Sequence, residues 1–182
     1  RKAIADFQKD NEAKNKEYRE RIEDEAKTRG ISLIVTDELI KKYRLWVEQD
    51  KQCPYTDKKI NFPALFGNNP QFDFEHTIPR SLSYDDSLEN LTLCDVDFNR
   101  NTKKQQIPSQ LANYKEIARR FEKYYEDDIN DCLERIEKSR THGRYIDPAI
   151  KDAMIVKRHK AELELRYYIG KLKRFNSEDV TK

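Results

Sequence analysis

Asp73, Glu75 and His76 stand almost side by side in the stretch FDFEH, in a chain that has three histidines. Asn90 and Asn99 follow at fixed distances. A neutral imidazole can take a proton from water near neutral pH. Carboxylate and amide oxygens are hard ligands suited to Mg²⁺, which keeps several waters and often adds a substrate phosphate to its shell. A base, a hard cation and a phosphate are the parts that phosphodiester hydrolysis needs: the cation offsets the charge that builds on phosphate and leaving oxygen, and the base makes the nucleophile.

These side chains need elements to position them. FDFEHTI alternates like a strand and ends at Pro79. On a strand, neighbours point to opposite faces. Glu75 and His76 therefore diverge unless the strand ends there, whereas Asp73 and Glu75 share a face. SLSYDDSLEN reads as a loop with room for one helical turn, and LTLC as a second short strand. From about Asp95 an N-terminal acid followed by helix formers predicts a helix. Upstream, Thr36 is an N-cap for a helix to about Gln49, with Leu39, Ile40, Tyr43, Trp46 and Val47 on one stripe. ISLIV before it reads as extended. CPYTDKKI is a turn, with Cys53 in the core, and Asn61 caps a short helical piece, FPALFG. After Pro108 the chain is helical for most of its length. The aromatics between Tyr114 and Tyr125 recur at helical spacing, as core positions do.

Composition narrows the field. Charged residues are 38% of the 182 and hydrophobic ones 36%. No apolar run approaches the roughly 20 residues that cross a membrane. The three cysteines Cys53, Cys94 and Cys132 form no CxxC pair, so neither a zinc ribbon nor a disulfide framework is expected, and a reducing cytosol suits them. Net charge is only +2, unevenly spread. Residues 53–112 hold six Lys/Arg against eight Asp/Glu, a net of −2, and residues 140–174 hold ten against four, a net of +6. The basic stretch is the candidate phosphate surface, with a plain solvated helix face as the competing reading. Residues 1–29 carry a thin apolar stripe, Ile4, Phe7, Tyr18 and Ile22, and read as a solvated arm or a linker helix that Gly30 stops. There is no initiator Met and no leader pattern, and we expect a piece of a longer protein.

The string DFEHTIPRS, then DDS-x-x-N, then N-R nine residues beyond that Asn, resembles the HNH (ββα-metal) nuclease domain. It is most similar to the one in the RNA-guided CRISPR type II effector endonuclease, the Cas-nine family. KYRLWVEQDKQCPYTDKKI resembles the family's entry into this domain, and KRHKAELELRYYIGKLKRF its exit towards a RuvC-type nuclease domain. The resemblance implies an α+β fold: a small ββα-metal core at about 70–104 surrounded by helices, mostly α overall. It implies a helical linker arm over 1–35, the nuclease domain over 36–139 and a basic exit linker over 140–182.

It also implies roles. His76 matches the catalytic general base. Glu75 falls on the metal-ligand acid, which is Asp in many relatives, and Asn99 on the second metal ligand. Asn90 matches the middle Asn that scaffolds the loop. Asp73 and Asp97 match nearby acids that support the site or serve as alternative ligands, and Lys103 and Lys104 are weak candidates for phosphate contacts. The cofactor would be Mg²⁺, with Mn²⁺ substituting and no zinc. The substrate would be the DNA strand paired to the guide RNA, the partners the RuvC-type domain and the rest of the effector, and the setting a bacterial cytoplasm. Two other readings stand beside this one: a free-standing HNH nuclease of homing or restriction type, and a non-catalytic helical docking module. His142 and His159 have no acidic or Cys partner at ligand spacing and read as surface.

Overall fold

Strand β1 (Phe72–His76) pairs antiparallel with β2 (Leu91–Asp95) at the centre of the computed structural model, which describes residues 2–141 and 147–176. The register sets Phe72 opposite Asp95, Glu75 opposite Thr92 and His76 opposite Leu91. A two-stranded ribbon is marginal by itself in water, and helices enclose this one. All five residues of β2 are buried. A side chain finishes its outer edge. Buried Gln49 accepts from the Leu93 N–H at 2.8 Å and donates to the Leu93 carbonyl at 3.1 Å. The Gln49 amide thus pairs that edge as a further strand would.

Helix α2 (Asp37–Glu48) begins at Thr36, whose hydroxyl accepts the Leu39 N–H at 3.3 Å. It buries Ile40, Tyr43, Leu45 and Trp46, while Val47 is exposed. Helix α3 (Phe62–Phe66) is capped by Asn61, which accepts from Ala64. Between the strands lie α4 (Arg80–Ser83) and a 3₁₀ turn at Leu88–Asn90. Residues 31–35 form no strand.

The helix expected from Asp95 is cut short. Asp95 caps α5 (Val96–Phe98), accepting the N–H groups of Asp97 and Phe98. The backbone then widens into a π-turn over Asn99–Lys103, closed by the Lys104 N–H on the Asn99 carbonyl at 2.8 Å. Such turns are rare and cluster at functional sites.

Both terminal helices pack on the core. Helix α1 (Lys2–Thr28) is no solvated arm: Ile22 and Ala26 are buried, and the Tyr18 ring lies 5.2 Å from that of Tyr43. Its apolar stripe is thin because one of its contacts is an alanine, which allows close approach. The described residues of the 140–182 stretch pack back on the core. Helix α6 (Tyr114–Thr141) runs through the expected boundary, and α7 (Pro148–Phe175) returns antiparallel along it. Phe175 is fully buried and stacks on Phe121, centroids 3.8 Å apart and planes 11° from parallel. The central cluster therefore draws on both ends of the described chain, Ile22 to Phe175, around the strand pair. The result is an α+β fold, mostly helical. His142 lies outside the described residues. His159 is exposed.

Candidate active site

The end of β1 decides where the imidazole goes. His76 is the last residue of the strand, so its side chain leaves the sheet as the backbone turns towards Pro79. The ring remains partly exposed, and its Nε2 lies 3.0 Å from Asp86 Oδ1. Asp86 also pairs with Arg80 at 2.9 Å. Asp86 stands in the DDS of the quoted motif, where the sequence alone did not single it out as a partner of His76. A carboxylate on Nε2 calls for the hydrogen there, which leaves Nδ1 as the basic nitrogen.

Glu75 takes the opposite face and is 2% exposed. Its Oε2 accepts from the Tyr55 hydroxyl at 2.7 Å, and its Oε1 faces Lys103 Nζ at 2.5 Å. Oε1 has this charge contact but no donor in hydrogen-bonding geometry. Burial pushes the carboxyl pKa up, while Lys103 and Tyr55 pull it down, and burial prevails. The Tyr55 phenol is driven well above its ordinary value by burial and then by the Glu75 charge.

Lys103 itself is 1% exposed and also donates to the His76 carbonyl at 3.1 Å. It is a buried partner of the site, not the surface phosphate contact expected of it. It is the last residue of the π-turn and the one that the turn buries. Lys104 is exposed.

Asn90 is fully buried, and its amide accepts from the Ile78 N–H at 2.8 Å and donates to the carbonyls of Ile78 and Asp85. It pins both ends of the loop between His76 and β2. From outside the motif, Arg174 of α7 grips the same loop, donating to Asp85 at 2.7 Å and Glu89 at 2.8 Å. Asn99 is half-buried at the start of the π-turn. Lys103, at the far end of that turn, ties it to both Glu75 and the His76 backbone. Asp73 is directed elsewhere: it pairs with buried Lys42 at 2.8 Å. Asp97 is exposed and accepts from the Asn101 amide at 2.6 Å.

No group of three or more His, Cys, Asp and Glu is gathered for a metal among the described residues. The residues expected to bind a metal carry oxygen donors, the Glu75 carboxylate and the Asn99 amide, and oxygen suits a hard cation. Glu75 Oε1 is a cation position by its contacts, since an ammonium already faces it. The residues fit a divalent ion on that ground.

The strand that ends in His76, the loop pinned by buried Asn90 and the second strand lie within residues 53–109, which match the model of the HNH endonuclease family. An 84-residue segment, 46% of this chain, is 37% identical to the CRISPR-associated endonuclease Cas9 1 of Streptococcus thermophilus (strain ATCC BAA-491 / LMD-9) and covers 7% of it. The fold is similar to the crystal structure of Streptococcus thermophilus Cas9 in complex with the AGAA PAM, with TM-score 0.55 and 20% identity over 97% of this chain and 17% of that one. The complex with the AGGA PAM matches with TM-score 0.54 and 20% identity over 98% and 18%. The chain spans less than a fifth of the length of these relatives.

Proposed function

We propose that the chain is the nuclease domain of a CRISPR effector that hydrolyses the DNA strand paired to the guide RNA. His76 acts as the general base. Asp86 holds Nε2, and Nδ1 takes the proton of the attacking water. Glu75 and Asn99 would hold Mg²⁺, with Mn²⁺ substituting; when bound, the ion offsets charge on the phosphate and the leaving oxygen. Asn90 keeps the loop closed so that His76 and Asp86 stay in register. Asp73 and Asp97, paired with Lys42 and Asn101, support the framework around the ligands. Exposed Lys104 meets the phosphate backbone. The RuvC-type domain and the rest of a bacterial, cytoplasmic effector supply guide and target. The observation that carries this reading is the geometry of His76: a strand-terminal, partly exposed ring with one nitrogen engaged by a carboxylate, inside the matched HNH stretch.

The test is single-turnover cleavage of the DNA strand of an RNA–DNA hybrid at high protein concentration, with Mg²⁺ or with EDTA. We expect Mg²⁺-dependent cutting, and His76→Ala should lower its rate about 10²–10⁴-fold. Cutting that survives EDTA, or that keeps its rate in the Ala variant, refutes the mechanism.

A further inference from the structure

Lys103 is the least expected member of the site. Lysine side chains are rarely buried unless paired, and this one is 1% exposed against a carboxylate that is itself sealed from water. Its ammonium faces Glu75 Oε1 at 2.5 Å and donates to the His76 carbonyl at 3.1 Å. Tyr55 holds Oε2, so Oε1 is the oxygen left for a cation. Tyr55 in turn lies against Phe98, centroids 5.7 Å apart, immediately before Asn99.

We propose that Lys103 is a built-in counter-cation that occupies the Glu75 position of the metal site, so that a divalent ion enters by exchange with the ammonium. The proposal rests on the reading of Glu75 as a metal ligand. The physical reason is charge. A buried carboxylate without a cation is strongly penalised, so the fold keeps one there before the ion arrives. An ion that takes Oε1 cannot share it with an ammonium at the same distance, since like charges that close repel strongly. Lys103 must then leave. Lys103 and Asn99 are the two ends of one π-turn, so release of the lysine also frees the turn that carries the second expected ligand. The site thereby couples metal loading to a local backbone change, and Tyr55 stays behind to keep the carboxylate oriented.

The experiment titrates Mn²⁺ into the 182-residue chain and follows free ion by electron paramagnetic resonance, for wild type, Lys103→Met, Glu75→Gln and the double variant. Circular dichroism checks the fold of each. Lys103→Met should bind Mn²⁺ at least about tenfold more tightly than wild type, because a competing charge is gone. The gain should vanish in the double variant. Equal or weaker binding by Lys103→Met, with Glu75→Gln still weakening wild-type binding, overturns the exchange while leaving Glu75 a ligand. Binding indifferent to Glu75→Gln in both backgrounds overturns the metal reading and the exchange with it. Where Lys103→Met does not fold, Lys103→Gln replaces it, retaining a hydrogen-bond donor without the charge. A second measurement needs no variant. Reductive methylation of wild type, read by mass spectrometry, should find Lys103 protected without divalent ion and reactive at saturating Mg²⁺. Protection that persists at saturation overturns the proposal.

Discussion

His76 and Lys171 show how far one side chain's surroundings set its chemistry. His76 ends a strand beside a carboxylate and is partly open to water. Lys171 is fully enclosed: its ammonium donates to the Leu91 carbonyl at 2.7 Å and lies over the rings of Tyr125 and Tyr167. Burial pulls its pKa down to about 8, with Arg44 helping and Glu48 opposing. This gives a pH prediction with a definite sign. The unfolded lysine holds its proton to near 10.5, and the folded one releases it near 8. Between those values the unfolded state binds more protons, so this residue raises stability as pH rises. In urea unfolding, wild type should gain stability relative to Lys171→Met from pH 8 to 10.5. A difference that stays constant over that range would show that the ammonium is not titrating in the fold.

Among the elements, α7 matters most for the site without contributing a residue to the HNH motif. Its last turns carry three contacts. Lys171 reaches β2, Arg174 grips the loop that Asn90 pins, and Phe175 stacks on Phe121. A helix joined in this way stabilises the ribbon, which two strands alone could not do. Phe175→Ala should cost about 3–5 kcal/mol, as truncation of a fully buried aromatic does, read from denaturant unfolding. An effect under about 1 kcal/mol would mean that α7 is dispensable after all and acts as the linker its sequence suggested. The π-turn is the other telling element: it ends in Lys103, which is buried against the Glu75 carboxylate.

For the whole molecule, charge is the deciding quantity. The expectation of a basic phosphate surface over 140–174 is weakened by the fold, because several of those charges are engaged internally. Lys171 and Arg174 face the core, Lys160 pairs with Asp10 of α1, and Arg158 pairs with Glu162. Affinity for DNA comes mainly from phosphate neutralisation and counterion release. A chain of net charge +2, whose site stretch is net −2, has little to offer. We predict that it binds duplex or RNA–DNA hybrid with a dissociation constant of about 10⁻⁶ M or weaker at physiological salt. Fluorescence anisotropy measures this. Nanomolar binding would show that the chain carries its own recognition, and would favour a free-standing nuclease over a domain that relies on tethering for local concentration.

The sequence by itself determined the local chemistry. DFEH, the spaced asparagines, the Thr36 and Asn61 caps and the strand–loop–strand order were all legible, because each is written in neighbouring residues as alternation, capping or motif spacing. The tertiary structure decided who meets whom across the chain. Tyr55 reaches Glu75 over twenty residues, Gln49 completes the edge of β2 over forty-four, and Arg174 grips Asp85 over eighty-nine. No local pattern encodes such pairings, since any tyrosine, glutamine or arginine on a helix or turn reads equally well as surface. The docking of α1 and α7 was hidden for the same reason: a charged helix with few apolar residues is a solvated arm unless a partner stands opposite those few. The burial of Lys103 was hidden because a lysine among polar neighbours carries no apolar signal, and its partner Glu75 lies twenty-eight residues away in the chain.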